Sequence, residues 1–215
     1  MQKVIMAHTT TKDFKKVAVF CGSSIGRNKQ YAAQTVLLGE EMVKRNIGLV
    51  YGGGNVGLMG VIAETVYRGL GDDGVLGVIP DYLEDREVSG KTVGKTVVVR
   101  DMHSRKAKMF EEADAFIAIP GGLGTLDETI EISTWQQLGL HYKPVGLLNI
   151  NGYFDKFVEF LDHATSEEFI RPASRAILLE DSDPAALIDK LLHYEAPPSV
   201  IKLAKQGKLD PNRRG

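Results

Sequence analysis

The sequence predicts an α/β fold: one domain, doubly wound, in which a mostly parallel sheet carries helices on both faces. Three observations predict it. Short apolar, β-branched runs recur along the chain, each is followed by a glycine or polar turn, and a longer amphipathic segment comes next. That alternation is what repeated βα units in a parallel sheet require. At 215 residues the chain suits one ordinary domain with a sizeable core and would be cramped as two.

The strands are expected at Val17 to Cys21, Leu49 to Tyr51, Val75 to Ile79, Thr96 to Val99, Ala115 to Ile119, Val145 to Leu148 and Ala176 to Leu179. Between them, helices are expected at Gln30 to Arg45, Leu58 to Arg68, Met102 to Glu112, Thr125 to Leu138, Tyr153 to His163 and Pro184 to Tyr194. In the first helix Ala33, Val36 and Leu37 gather on one side and Glu40 and Lys44 on another, as a helix lying on a sheet needs. Ser182-Asp183-Pro184 reads as a helix start, with the acid as cap and proline in the first turn. These elements occupy residues 16–195. Residues 1–15 are an extension, and 196–215, with Pro197, Pro198, Pro211 and Arg213-Arg214, read as a loosely attached tail.

Composition narrows the partners. With 26 basic and 28 acidic side chains, the formal charge of -2 gives no general attraction to nucleic acid or to an anionic membrane. The single Cys21 has no second thiol for a disulfide, which fits a reducing compartment. The five histidines never fall at a metal-ligand spacing, so no metal is expected, and His103 and His141 are read as surface or structural residues. Residues 1–15 hold charges and no sustained apolar stretch, so neither a secretory signal nor a membrane span is expected there. The expected location is the cytosol, with the nucleus as a further compartment open to the same protein.

In an open α/β sheet, ligands gather beyond the carboxyl ends of the strands, so the loops there matter most. The first is Cys21-Gly22-Ser23-Ser24-Ile25-Gly26. Its small residues and hydroxyls, Ser24 among them, suit an anion, and a plain turn with capping serines accounts for them too. The second, Gly52-Gly53-Gly54-Asn55-Val56-Gly57-Leu58-Met59-Gly60, fits G-x-G-x-x-G, but follows the second strand and lacks the Lys-Ser/Thr pair of a Walker loop. Gly53 and Gly54 are the candidates there for turning backbone N–H groups toward a phosphate, helped by the helix dipole. The competing reading is tight strand-to-helix packing.

The third loop ends the run "AFIAIPGGLGTLDETIEIS". Pro120 stops a strand, Gly121, Gly122 and Gly124 open the backbone, and Thr125 is expected to begin a helix with Asp127 and Glu128 in its first turn. Thr125-Leu126-Asp127-Glu128 fits a capping box, in which Glu128 folds back on its own helix start. Three glycines exceed what a cap requires, which favours a bound phosphate and a working carboxylate. Arg105 and Lys106, in "DMHSRKAKMF", enter a helix just after the strand at Thr96 to Val99 and so reach the same rim of the sheet. An arginine that can fork onto phosphate or ribose oxygens beside a carboxylate makes a nucleotide site. Trp135 follows Glu128 by seven residues and shares its helix face, as a core or interface anchor or as a border of the base pocket.

Taken together, Pro120-Gly121-Gly122-x-Gly124-Thr125-x-x-Glu128 and Met102-His103-x-Arg105-Lys106, with "VFCGSS", "YGGGNVGLMG", "REVSGKTVG" and "KPVGLLNINGYFD", resemble the Lonely Guy family of cytokinin riboside 5'-monophosphate phosphoribohydrolases. The likeness runs from about Val17 to Leu192. It implies a Rossmann-like fold, usually dimeric, that hydrolyses N6-modified adenosine monophosphates to free base and ribose 5-phosphate without a metal or redox cofactor. It also implies Arg105 and Glu128 as the catalytic pair. Nucleotide contacts are implied at Glu87, Lys106, Thr134 and the loop of Gly121, Gly122, Leu123, Gly124 and Thr125, extended through Leu126 and Asp127. Leu123 stands where plant members commonly have tyrosine, and Asp127 where glutamate is frequent. Proteins with this glycine motif have been labelled lysine decarboxylases, but no lysine here has a pyridoxal-phosphate context. Hydrolysis of plain AMP and a non-catalytic nucleotide or molybdenum-cofactor carrier are the alternatives.

Overall fold

The computed structural model describes residues 13–83, 88 and 91–207. Seven strands form one sheet in the order β4-β3-β2-β1-β5-β6-β7, and every neighbouring pair is parallel. They are β1 (Lys16–Phe20), β2 (Gly48–Tyr51), β3 (Val75–Pro80), β4 (Lys95–Val99), β5 (Ala115–Ala118), β6 (Val145–Leu148) and β7 (Leu178–Asp181). The principal helices are α1 (Lys29–Lys44), α2 (Gly57–Leu70), α3 (Met102–Glu112), α4 (Leu123–Leu138), α5 (Asp155–Ser166), α6 (Pro172–Arg175), α7 (Pro184–Leu192) and α8 (Val200–Lys205).

Alternation along β1 divides the core in two. Val17 and Val19 face Leu38 and Met42 of α1, Leu58 and Ile62 of α2, and Leu187 and Leu191 of α7. Ala18 and Phe20 face Met109 of α3, Ile132 of α4 and Leu161 of α5. Successive side chains of a strand point to opposite faces, so a strand buried on both sides must be apolar throughout. The doubly wound, Rossmann-like architecture expected from the sequence is the one observed.

Helix ends follow local chemistry. The Asn28 side chain accepts from Gln30 N at 2.9 Å to start α1, Asp101 accepts from Ser104 N at 2.7 Å to start α3, and Asp183 accepts from Ala186 N at 2.8 Å to start α7. Bonds to the Ser104 backbone and side chain, then to Arg100, pull the Asp101 carboxyl down to about 2. Arg45 joins α1 to α7 through ion pairs of 2.6 Å each with Glu41 and Asp189.

Several boundaries differ from expectation. The last strand begins two residues later than Ala176, because α6 carries the chain through Ala176 before it can extend. The helix expected from Tyr153 starts at Asp155, after a 3-10 turn at Ile150–Gly152 in which Asn151 and Gly152 take φ of 54° and 67°. Residues 196–207, expected as tail, contain α8, whose cap Ser199 is buried against Gly139.

The strand order reverses between β1 and β5, and in open α/β sheets ligands gather beyond the carboxyl ends of the strands at such a switch point. The first and third glycine loops meet there: Gly22 N donates to Pro120 O at 3.1 Å. The second loop joins through Leu58 N, which donates to Gly22 O at 3.1 Å.

Candidate active site

The capping-box reading of Thr125 to Glu128 does not match the helix start. Helix α4 begins at Leu123, with Gly122 as its N-cap and no side chain bonded to it, so Thr125 is the third residue of the helix and Glu128 the sixth. Asp127 and Glu128 therefore lie beyond the first turn, contrary to the sequence expectation. The helix starts early because nothing at Leu123 or Gly124 stops it, and the actual cap position falls on a residue without a side chain. At the sixth position Glu128 is past the reach of the cap. It is instead buried, 7% exposed, on the inner face of α4 with Thr125 and Thr129. Thr129 Oγ1 donates to the Thr125 carbonyl at 2.6 Å, satisfying its own hydroxyl within the helix.

Arg105 sits one turn into α3, with its backbone N bonded to Asp101 O at 3.0 Å, and is also only 7% exposed. Its guanidinium lies over Gly52 at the end of β2: a β-carbon on Gly52 would stand 1.8 Å from Nη2. The cation thus crosses the rim of the sheet through space that glycine leaves empty, and its Nη1 lies 3.7 Å from the sulfur of Met102. Buried ionised groups are costly unless paired and hydrogen-bonded, and they gather where function requires them.

Lys106 ties the two helices together. Its Nζ stands 2.8 Å from Glu131 and 3.3 Å from Asp127, so the neighbour in sequence of Arg105 meets the neighbour of Glu128. Burial works against the ammonium charge, but the hydrogen bonds to Glu131 and Asp127 outweigh it and hold Lys106 above its ordinary pKa. Glu131, which the sequence reading passed over, belongs to this junction as the acid one turn beyond Asp127.

The glycines differ sharply in surroundings. A β-carbon on Gly53 (φ 79°) would be 2.8 Å from Ile79 Cβ, and one on Gly57 (φ 59°) would be 2.2 Å from the Ser23 carbonyl carbon. One on Gly121 would be 2.1 Å from Thr125 Oγ1 and 2.7 Å from Gly22 N. Gly54 is buried, Ser24 is exposed and donates nothing to the third loop: its Oγ accepts from Gly26 N at 3.2 Å. At Gly122 and Gly124 a β-carbon would meet nothing within 4 Å, and Leu123 beside them is 85% exposed. The open face of the third loop is therefore backbone and Leu123.

Not every expected residue joins this corner. Thr134 lies on the exposed side of α4, about 9 Å along the helix from Glu128, in a groove with Ile130, Ser133, Gln137, Leu161 and Ile170. Glu87 falls outside the described residues. Leu126 is half-buried against the core. Trp135 is half-buried and packs against the core edge-on to Phe110, ring centroids 5.4 Å apart, which accounts for it as an anchor. His103 is exposed, and His141 is buried and bonded to backbone. One neighbour of the third loop was not a site candidate, although it lies in the family-like stretch "KPVGLLNINGYFD": the Tyr153 hydroxyl donates to the carbonyl of Gly121. Among the described residues no helix is long and apolar enough to cross a membrane.

Comparison with known proteins places the chain in a family. A family model described as "Possible lysine decarboxylase" matches residues 59–191. A probable cytokinin riboside 5'-monophosphate phosphoribohydrolase of Oryza sativa subsp. japonica, LOGL6, is 52% identical over 84% of this chain and 72% of its own length. The cytokinin riboside 5'-monophosphate phosphoribohydrolase LOG7 of Arabidopsis thaliana is 50% identical over 86% of this chain and 85% of its own. Among solved structures, the molybdenum cofactor binding protein of Rippkaea orientalis shares the fold at a TM-score of 0.60, 23% identity, and 81% and 93% coverage of the two chains. Half of the residues are identical to those of the plant proteins across nearly the whole described body, and on that ground the chain belongs to the LOG family of cytokinin riboside 5'-monophosphate phosphoribohydrolases.

Proposed function

We propose that this protein hydrolyses the N-glycosidic bond of N6-modified adenosine 5'-monophosphates, releasing the free cytokinin base and ribose 5-phosphate. The observation that carries the reading, beside family membership, is the burial of Glu128 and Arg105 at the switch point next to an uncapped, open glycine loop.

The chemistry follows from the bond. Cleavage at C1' sends the bonding electrons to the purine nitrogen and leaves positive charge on the ribose, an oxocarbenium-like transition state. Glu128 stabilises that charge and directs the attacking water, whose oxygen joins C1' while its proton passes through the carboxylate to the departing base. Amides of Gly122 to Thr125 and the dipole of α4 hold the 5'-phosphate, with Arg105 on phosphate or ribose oxygens. Ser24, Gly53, Gly54, Glu87 and Lys106 complete the nucleotide surroundings in this reading. The phosphate supplies binding energy that fixes the sugar for reaction, so nucleosides lacking it are expected to turn over poorly.

We also propose a homodimer, in the cytosol. Leu123, Ile130, Thr134 and Leu138 make an exposed stripe along α4 at spacings of seven, four and four residues. A dimer closed through that stripe is the arrangement in which Thr134 meets a nucleotide, that of the partner. Ile130→Asp would then dissociate the dimer on size exclusion and reduce turnover.

The decisive experiment incubates purified protein with isopentenyladenosine monophosphate, AMP and isopentenyladenosine, and separates the products by chromatography. Free base from the first, less from AMP and almost none from the nucleoside is the expected result. Tight nucleotide binding with no base released would replace the enzyme by a carrier.

A further inference from the structure

We propose that Tyr153 is a positioning residue for the phosphate loop: by holding the carbonyl of Gly121 it aims the next amide, that of Gly122, into the open corner. The proposal rests on the loop's role in binding phosphate, and it assigns the loop's geometry to a side chain from a distant turn.

The argument begins with the peptide unit. In a trans peptide the carbonyl of one residue and the N–H of the next point in opposite directions, and the plane between them is stiff. A hydroxyl that captures the Gly121 carbonyl therefore sets the direction of the Gly122 N–H. Glycine on both sides of this bond leaves its rotation otherwise weakly determined. The carbonyl of Gly122 is already committed, accepting from Leu126 N at 3.2 Å as the first bond of α4. No side chain caps the helix, and apart from its chain neighbours nothing lies within 4 Å of where a Gly122 β-carbon would be. With its neighbouring carbonyls fixed, the amide is held pointing away from Tyr153, on the side opposite the Gly121 carbonyl.

Such a device works only if the tyrosine itself is held. Its ring stands edge-on to Tyr31 of α1, centroids 5.7 Å apart at 82°, and edge-on to buried Phe154 at 5.1 Å and 88°. Tyr31 is in turn pressed beneath Gly26, where a β-carbon would stand 2.8 Å from the ring. The turn that carries Tyr153 is bound through Asn149, whose Oδ1 accepts from Phe154 N at 2.8 Å and whose Nδ2 donates to Asp155 at 2.7 Å and Glu180 at 2.6 Å. The hydroxyl thus sits on a braced post that links the first loop to the third.

Tyr153→Phe keeps the ring contacts and removes the hydroxyl. Loss of one neutral hydrogen bond predicts a change of about fivefold. In the variant, the Gly122 amide resonance is expected to shift and broaden without any ligand, and the affinity for inorganic phosphate to fall about fivefold. KM for the ribotide should rise by the same factor, with kcat within about twofold. A merely structural hydroxyl would lower the melting temperature and leave KM and phosphate affinity as they were. An unchanged Gly122 resonance and unchanged phosphate affinity in the folded variant would overturn the proposal. Failure of the hydrolase reading would show separately, as wild-type protein that releases no base, and the amide and phosphate titrations would still decide the part played by Tyr153.

Discussion

The second and third loops are almost equally rich in glycine, yet the protein uses the absent side chains in opposite ways. In the second loop the space is filled from within: by the Arg105 guanidinium at Gly52, by Ile79 at Gly53, by the Ser23-Ser24 backbone at Gly57, and by the Asn55 carbonyl at Gly60. In the third, Gly121 is packed in the same manner, whereas Gly122 and Gly124 face open space. A glycine excess therefore has two physical causes, close approach of the protein to itself and room left for something else. In the proposed site the two loops would then serve by different means, the second admitting the cation and the third leaving its backbone open.

The largest expected effect tests whether the buried charges matter to chemistry at all. Glu128→Gln and Arg105→Ala should each lower turnover of the ribotide at least about a hundredfold, the lower scale for general acid-base assistance, with folding checked by circular dichroism. Near-normal release of base by either folded variant would remove that residue from the mechanism.

Next comes Gly52→Ala, which tests the closed loop. The added methyl would collide with the far end of a flexible arginine, so the fold should accommodate it by displacing the guanidinium. Misplacing a reacting constellation by about 1 Å can cost up to a hundredfold. We expect a roughly tenfold to hundredfold fall in kcat/KM with little change in melting temperature. If activity holds, Arg105 does not need the path over Gly52.

Much of this was legible in the sequence, and the limits are physical. Strands buried on both faces, such as "VAVF" and "AFIA", announce themselves as unbroken apolar runs, and capped helices such as the one at Asp183-Pro184 mark their own starts. The motif residues of the third loop could be placed at the correct rim because sheet topology carries them there. The register of α4 was not legible: Thr125 and Glu128 have the spacing of a capping box, and only the three-dimensional path shows the helix already under way at Leu123. Nor could sequence tell a packed glycine from an open one, since Gly52 is set by Arg105, more than fifty residues away. The Tyr153 to Gly121 bond, between residues 32 apart, is equally a product of tertiary structure.

An intermediate effect tests whether α4 is held from behind. His141 Nε2 donates to Ile132 O at 2.9 Å, and Nδ1 accepts from Lys143 N at 3.0 Å, so the neutral ring ties the β6 approach to α4. Around it lie the rings of Phe110 and Phe116, the Lys143 ammonium over Phe110 at 4.3 Å, and Asp114 and Glu111, which act on that ammonium. Burial first, then the Lys143 charge, lowers the His141 pKa against the opposing backbone bonds. A folded pKa below the unfolded value of about 6.5 means stability that is complete above that pH and is lost as pH falls through the lower, folded value. His141→Ala should cost roughly 1–3 kcal/mol near neutrality and flatten the decline in urea midpoint between about pH 7 and pH 5. An equal acid decline in the variant would place the sensitivity elsewhere.

The smallest effect discriminates most finely, because it sets stability against binding at one atom. Gly124 is the second residue of α4, has no positive φ, and leaves room for a methyl. Alanine there should favour the helix by about 0.5–1 kcal/mol, which for a chain of this size raises the melting temperature by roughly 1–4 °C. If the open space belongs to the nucleotide phosphate, the same methyl crowds it, and KM for the ribotide should rise roughly threefold. Isothermal titration with ribose 5-phosphate beside thermal melts would separate the two terms. A variant that melts higher and binds as well as the parent would mean that the space at Gly124 is vacant for some reason other than phosphate, and the contrast between the two loops would lose its functional half.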